Sequence, residues 1–117
     1  MPKLIALISK QPELSAEEFR QYYEAHHAPL IAKLLPMIAR YTRSYLPTEP
    51  AVSGKIGTVE FDVLTELWFA DEAALQAFWA RIRSPEVIAQ IRADEANFLL
   101  SERTLMYQVQ ECGTELG

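Results

Sequence analysis

The stretch from Ser15 to Leu34 constrains the fold most, because it specifies a helix at both of its ends. Ser15 and Glu18 stand in the spacing of a capping box, where each side chain satisfies the other residue's free backbone amide. Leu14 and Phe19 flank that cap as a hydrophobic staple. Further on, Pro29 lacks an amide and crowds the carbonyl of Ala25, so a kink is expected there. Just ahead of it stand His26 and His27, the two histidines of the chain. Phe19, Tyr22, His26 and Leu30 read as the core stripe of this helix. Tyr23 and His27, four residues apart, share the neighbouring face within reach of each other. Ile31, Leu34 and Leu35 continue a short helical piece up to Pro36.

The rest of the chain supplies strands and one more helical region. Lys3 to Lys10 opens as a strand whose Leu4, Ile5, Ala6, Leu7 and Ile8 are apolar without alternation, so both faces should be buried. Ile38 to Leu46 alternates, with Tyr41, Arg43 and Tyr45 on one face and Arg40, Thr42 and Ser44 on the other. Pro47 to Gly57 is a loop of a length that is often functional. Val59 to Phe69 is the third strand, with Val63, Thr65, Leu67 and Phe69 opposite Asp62, Leu64, Glu66 and Trp68. Asp71 caps a helix with an apolar stripe of Leu75, Phe78, Trp79 and Ile82, and Ser84-Pro85 restarts it. Val87, Ile88, Ile91 and Phe98 continue the stripe. Thr104 to Gln110 is the last strand.

Strand, helix, strand, strand, helix, strand is the split βαβ order of a ferredoxin-like fold. The expected class is α+β, a ferredoxin-like βαββαβ chain with an antiparallel four-stranded sheet and helices on one face. At 117 residues this is read as a single domain over 1–117, and with half of the residues apolar it can build a core. The strands carry bulky apolar groups on both faces, so a second copy of the sheet is the simplest cover. A homodimer is therefore expected, with room for a small apolar ligand between sheet and helices or between sheets.

Composition removes several function classes. A net charge of -5 without a basic stripe argues against nucleic acid. No apolar run approaches the roughly 18 residues of a membrane span, and no signal-peptide pattern opens the chain, so the expected location is cytoplasmic. Cys112 is single and reads as a spectator thiol. Two adjacent histidines and one distant cysteine do not make a metal-ligand spacing, and no glycine-rich phosphate or dinucleotide loop is present. The expectation is no metal and no cofactor.

Several stretches together resemble one family. They are Leu4-Ile5-Ala6-Leu7, Leu14 to Phe19, Tyr22 to Leu30, Phe61 to Phe69, and Asp94-Glu95-Ala96-Asn97-Phe98. In their order and spacing they look like an EthD-domain protein, and the resemblance spans nearly the whole chain. It implies a dimeric α+β barrel. The family pattern of histidine, a small residue, proline and leucine maps onto His27, Ala28, Pro29 and Leu30, so His27 rather than His26 inherits the family position. The wider superfamily includes aromatic polyketide cyclases and dehydratases, lactone isomerases, cofactor-free monooxygenases and heme-binding proteins.

Histidine titrates near neutral pH, which makes His27 the candidate general acid/base, with Tyr23 beside it as the second catalytic candidate. The alternative for His27 is structural, an imidazole bonding the carbonyls freed at the Pro29 kink. His26, Tyr41, Tyr45, Asp62 and Trp68 are the substrate-binding candidates. As amphipathic aromatics the tyrosines can also simply pack with bonded hydroxyls. Asp62 and Glu66 lie about 13 Å apart along a strand, too far for a paired-carboxylate mechanism, although one of them can orient His27. Arg40 and Arg43 are anion contacts or solvated charges. Asp94-Glu95 can cap or salt-bridge near a helix end. These residues suit a cofactor-independent enzyme moving a proton on a small hydrophobic molecule, aromatic, polyketide- or lactone-type, as a lyase, isomerase, cyclase or cofactor-free oxygenase. Two alternatives remain: a non-catalytic dimeric binding or accessory protein, and heme binding through either histidine.

Overall fold

A computed structural model describes residues 1–47 and 60–117. The chain runs β1 (Lys3–Ile8), α1 (Ala16–Tyr22), a π-helical turn (Tyr23–His27), α2 (Ala28–Leu34), β2 (Arg40–Tyr45), β3 (Val63–Trp68), α3 (Glu72–Ile82), α4 (Pro85–Glu95), a 3₁₀ turn (Ser101–Arg103) and β4 (Leu105–Val109). The four strands form one antiparallel sheet in the order β2-β3-β1-β4. This is the α+β, ferredoxin-like arrangement expected from the element order. The loop expected at 47–57 lies, beyond Pro47, outside the described residues, as does Val59 of the longer third strand.

Register sorts the side chains into two faces. Leu4, Ala6 and Ile8 pair across to Leu67, Thr65 and Val63, and all six are buried. They meet the helices in two apolar clusters. One joins Leu4, Leu67 and Phe69 to Leu34, Leu35, Leu75, Phe78 and Ile91. The other joins Ala6, Ile8 and Val63 to Phe19, Tyr23, Ala28, Phe98 and Leu99. On the opposite face Ile5 and Leu7 pair with Tyr107 and Leu105, and no described element covers them. Leu105 and Tyr107 are each 50% exposed, so the expectation that β1 is buried on both sides fails within the single chain.

Both helix starts form as their sequences specify. Ser15 accepts from the Glu18 amide at 3.1 Å while the Glu18 carboxylate accepts from the Ser15 amide at 2.9 Å. Leu14 packs on the cluster that holds Phe19. Asp71 caps α3 through the Ala74 amide at 2.8 Å. At Pro29 the structure departs from a simple kink. The helix widens into the π turn, with the Ala28 amide bonding the Tyr23 carbonyl five residues back, and Pro29 then falls in the first turn of α2. The wider turn thus places the residue that lacks an amide at the point where the hydrogen-bond ladder changes spacing.

The widening also decides which face goes inward. In an α-helix of 3.6 residues per turn, positions four apart drift around the axis. A wider turn holds Tyr23 above His27, and Phe19, Tyr23, His27, Ala28, Ile31 and Leu34 are the buried residues. The stripe expected from Tyr22 and His26 instead faces outward, with Tyr22 half-buried and His26 exposed. After α4 the chain is tied to the end of β1 by Gln11 N to Phe98 O at 2.9 Å and Leu100 N to Ser9 O at 2.8 Å. These bonds seat Phe98 under the π turn.

Candidate active site

His27 is 4% exposed, its ring lying between Tyr23 at 5.2 Å and Phe98 at 4.8 Å. Its Nδ1 is 2.8 Å from Oδ2 of Asp94, at the C-terminal end of α4. The imidazole therefore bonds a carboxylate rather than a carbonyl freed by Pro29. The orienting carboxylate is Asp94 and not Asp62 or Glu66. Asp62 accepts from the Lys10 amide at 2.8 Å, and Glu66 pairs with Lys3 at 2.5 Å on the other side of the sheet. Asp94 reaches one residue more, since its Oδ1 accepts from the Tyr22 hydroxyl at 2.6 Å. Asn97 donates to the Tyr22 oxygen at 2.8 Å. Burial pushes the His27 pKa below its ordinary value, and the Asp94 bond and charge offset part of that shift. Burial pushes Tyr22 upward, its bond to Asp94 adding to the effect.

Beneath the imidazole lies a second polar group. The Tyr23 hydroxyl is 2.8 Å from that of Tyr41 and 2.7 Å from Oγ1 of Thr65. All three come from different elements yet meet inside the core, each satisfied by another. Burial pushes both phenols' pKa values upward. Tyr45 turns to the rim, where its hydroxyl donates to Glu24 at 2.5 Å. Arg43 forks onto the same carboxylate at 2.9 and 2.7 Å, and its guanidinium lies 4.7 Å over the Tyr41 ring. Arg43 is thus neither a solvated charge nor a free anion contact, and it holds the Glu24 carboxyl below its usual range.

The structure therefore brings His27, Tyr23 and Tyr41 to one side of the sheet and leaves Tyr45 at that region's edge. His26 is stacked on Tyr22 at 4.7 Å and, with it, lines a shallow surface depression of about 380 Å³. Trp68 sits on the opposite face, between Lys3 at 4.5 Å and Arg40 at 4.7 Å, and donates to Glu111 at 3.1 Å. The sheet separates it from His27. Asp94, Asn97 and Thr65 were absent from the sequence-based candidates. The spacing of Asp94, Asn97 and Phe98 at a helix end was the signal for the first two. Nothing in the sequence around Thr65 distinguishes it from other strand threonines. Among the described residues no group of three or more His, Cys, Asp or Glu side chains is placed to hold a metal ion. No described helix is long and apolar enough to cross a membrane.

Fold and site together define a small ferredoxin-like α+β protein with a buried histidine–carboxylate pair. The chain belongs to the EthD domain family, whose model matches residues 11–101. An EthD family protein from Bacillus halodurans is similar in structure, with a TM-score of 0.63 at 21% identity over 96% of this chain and 100% of that one. SnoaB, a cofactor-independent oxygenase from Streptomyces nogalater, gives a TM-score of 0.60 at 13% identity over 97% and 94%. A dimeric ferredoxin-like protein from Thermobifida fusca gives 0.52 at 15% identity over 92% and 88%. At these identities the likeness is one of fold. No curated protein matches the chain.

Proposed function

We propose that this protein is a homodimer that binds a small hydrophobic molecule, aromatic or lactone-type, and moves a proton on it with His27 without a cofactor. The observation that carries the reading is the buried imidazole held by Asp94 at 2.8 Å. Burial keeps the ring neutral at pH 7 and so able to accept a proton, while the carboxylate stabilises the imidazolium that forms. Enolisation, dehydration and lactone opening all use that step. The cofactor-independent oxygenase among the structural neighbours supports the absence of a cofactor as part of this reading. Tyr23, whose ring edge meets His27, walls the site, and Tyr41 and Tyr45 border it. His26 contributes from the depression beside Tyr22. Asp62 and Trp68 enter only where a ligand reaches the sheet edge or the space between two sheets. We place the protein in the cytoplasm as a single domain.

The dimer rests on the uncovered face, where Ile5, Leu7, Leu64, Leu105 and Tyr107 lie together. Such a contiguous apolar patch is unusual on a monomer. Native mass spectrometry of the untagged protein tests dimer and ligand together. A dimer carrying small-molecule mass supports both, and a clean monomer overturns the dimer. Replacement of Leu105 by Lys should convert dimer to monomer. With a substrate in hand, His27→Ala should abolish turnover while preserving the fold, and unchanged turnover would remove His27 from the mechanism.

A second reading is a non-catalytic carrier of the same class of ligand. It is favoured by the closed hydroxyl group of Tyr23, Tyr41 and Thr65, which has already satisfied itself internally. Tight binding without conversion, equal in His27→Ala, would select it.

A further inference from the structure

We infer that Tyr22 and Asn97 are positioning residues that fix the His27–Asp94 pair in one proton order, with the proton of the neutral imidazole on Nδ1 and the lone pair on Nε2. The order follows from what each group can donate. The Asn97 amide nitrogen lies 3.3 Å from the Ala93 carbonyl oxygen, which only accepts. That contact identifies the amide atom as the nitrogen, so it is also the donor to the Tyr22 oxygen at 2.8 Å. Tyr22 has one proton, and with its oxygen accepting from Asn97 that proton points at Oδ1 of Asp94, 2.6 Å away. Asp94 then presents Oδ2 as an acceptor to His27, so Nδ1 donates across the 2.8 Å contact. The reverse order, a proton on Asp94 aimed at a bare Nδ1, would set the Tyr22 donor against a neutral carboxyl, a weaker acceptor than a carboxylate.

The consequence is a preference at Nε2. A lone pair there accepts a proton from a phenol or an acidic C–H, and it repels an ether, ester oxygen or carboxylate placed at the same point. This part rests on the reading of His27 as the proton-transfer group; the proton order itself does not. The titratable groups facing the imidazole are Asp94 from α4 and Tyr22 and Tyr23 from its own helix. Glu95, next to Asp94 on α4, is raised by burial, an effect that the charge of Arg92 opposes and that of Asp94 adds to. From the sheet, Tyr41 and Tyr45 meet Tyr23, with Tyr45 also bonded to Glu24 and Arg43 over the Tyr41 ring.

Long-range ¹H–¹⁵N spectra of histidine-labelled protein across pH read both the tautomer and the His27 titration, with no substrate needed. Wild type should show the Nδ1-protonated form. Tyr22→Phe keeps the ring that stacks on Phe98 at 5.1 Å and on His26, so the fold should hold. Losing its hydroxyl leaves Asp94 more available to the imidazolium, and the His27 pKa should rise by about 0.5–1 unit, the equivalent of one hydrogen bond. Asn97→Ala, at an exposed position, should raise it by less. A packing role for Tyr22 would alter melting without moving that titration. An Nε2-protonated ring in wild type, or an unmoved His27 pKa in Tyr22→Phe, overturns the inference. An Nδ1-protonated ring in a protein whose His27→Ala variant turns over normally upholds the proton order and removes only the catalytic reading.

Discussion

On β3, Val63, Thr65 and Leu67 turn toward the helices, while Leu64, Glu66 and Trp68 turn the other way. The first set is buried beneath helices supplied by the same chain. Its one polar member, Thr65, is answered by a hydroxyl from the π turn. The second set has no cover of its own. Its charge is answered at the sheet's end, where Lys3 pairs with Glu66 at 2.5 Å and Glu111 at 2.9 Å and sits over Trp68. The inner face contains polar groups that must be matched one to one, because an unmatched group in a dry core costs about 1–3 kcal/mol. The outer face can use partly hydrated ion pairs, each worth little singly. A ligand-binding or proton-moving site needs the first environment, and an association surface suits the second.

The sharpest test of this contrast is Phe98, fully buried and touching the rings of Phe19, Tyr22, Tyr23 and His27. Phe98→Ala should lose about 3–5 kcal/mol in denaturant unfolding, independent of protein concentration. Trp68→Ala on the outer face should, if the proposed dimer forms, lose an amount that shrinks on dilution as wild type itself dissociates. Equal, concentration-independent losses would break the distinction between the two faces. Next in size is Asp94→Ala, which leaves the buried imidazole without its partner and should cost about 1–3 kcal/mol in the same measurement. Thr65→Val keeps the shape but removes one hydroxyl from the buried group, and about 1 kcal/mol should be lost. A loss near zero would mean that Tyr23 and Tyr41 satisfy each other without it.

The pH dependence is the smallest effect, because Asp94 offsets part of the burial of His27. The folded-state pKa of His27 lies below the ordinary 6.5, so the unfolded chain binds the proton more readily. Stability from this group is therefore full above about pH 6.5 and falls as the pH drops below it toward the folded value. Chemical denaturation at a series of pH values should show that slope in wild type, and His27→Gln should remove it.

Much of the fold was legible because its signals are local. Ser15 with Glu18 and Asp71 before α3 wrote the helix starts, and alternation in β2 and β3 sorted their faces. The candidate site was legible only in part. His27 was marked by its own chemistry and by the family pattern, but its neighbours were not. Asp94 is 67 residues away, and only the packing of α4 against the π turn brings it to hydrogen-bond distance. Arg43 and Glu24 likewise meet only because β2 lies beneath the first helix.

By itself, the sequence determined the elements, their order and the two-faced character of the strands, since caps, breakers and alternation act between residues a few positions apart. Tertiary structure alone decided which side of the first helix turned inward. The 3.6-residue period read Tyr22 and His26 as the inward stripe with Tyr23 and His27 on the adjoining face, and the fold buried the second pair instead. The π turn before Pro29 and the seat made by Phe98 turned the second pair inward, where the folded chain supplies Asp94 as the hydrogen-bond partner that the buried His27 ring needs.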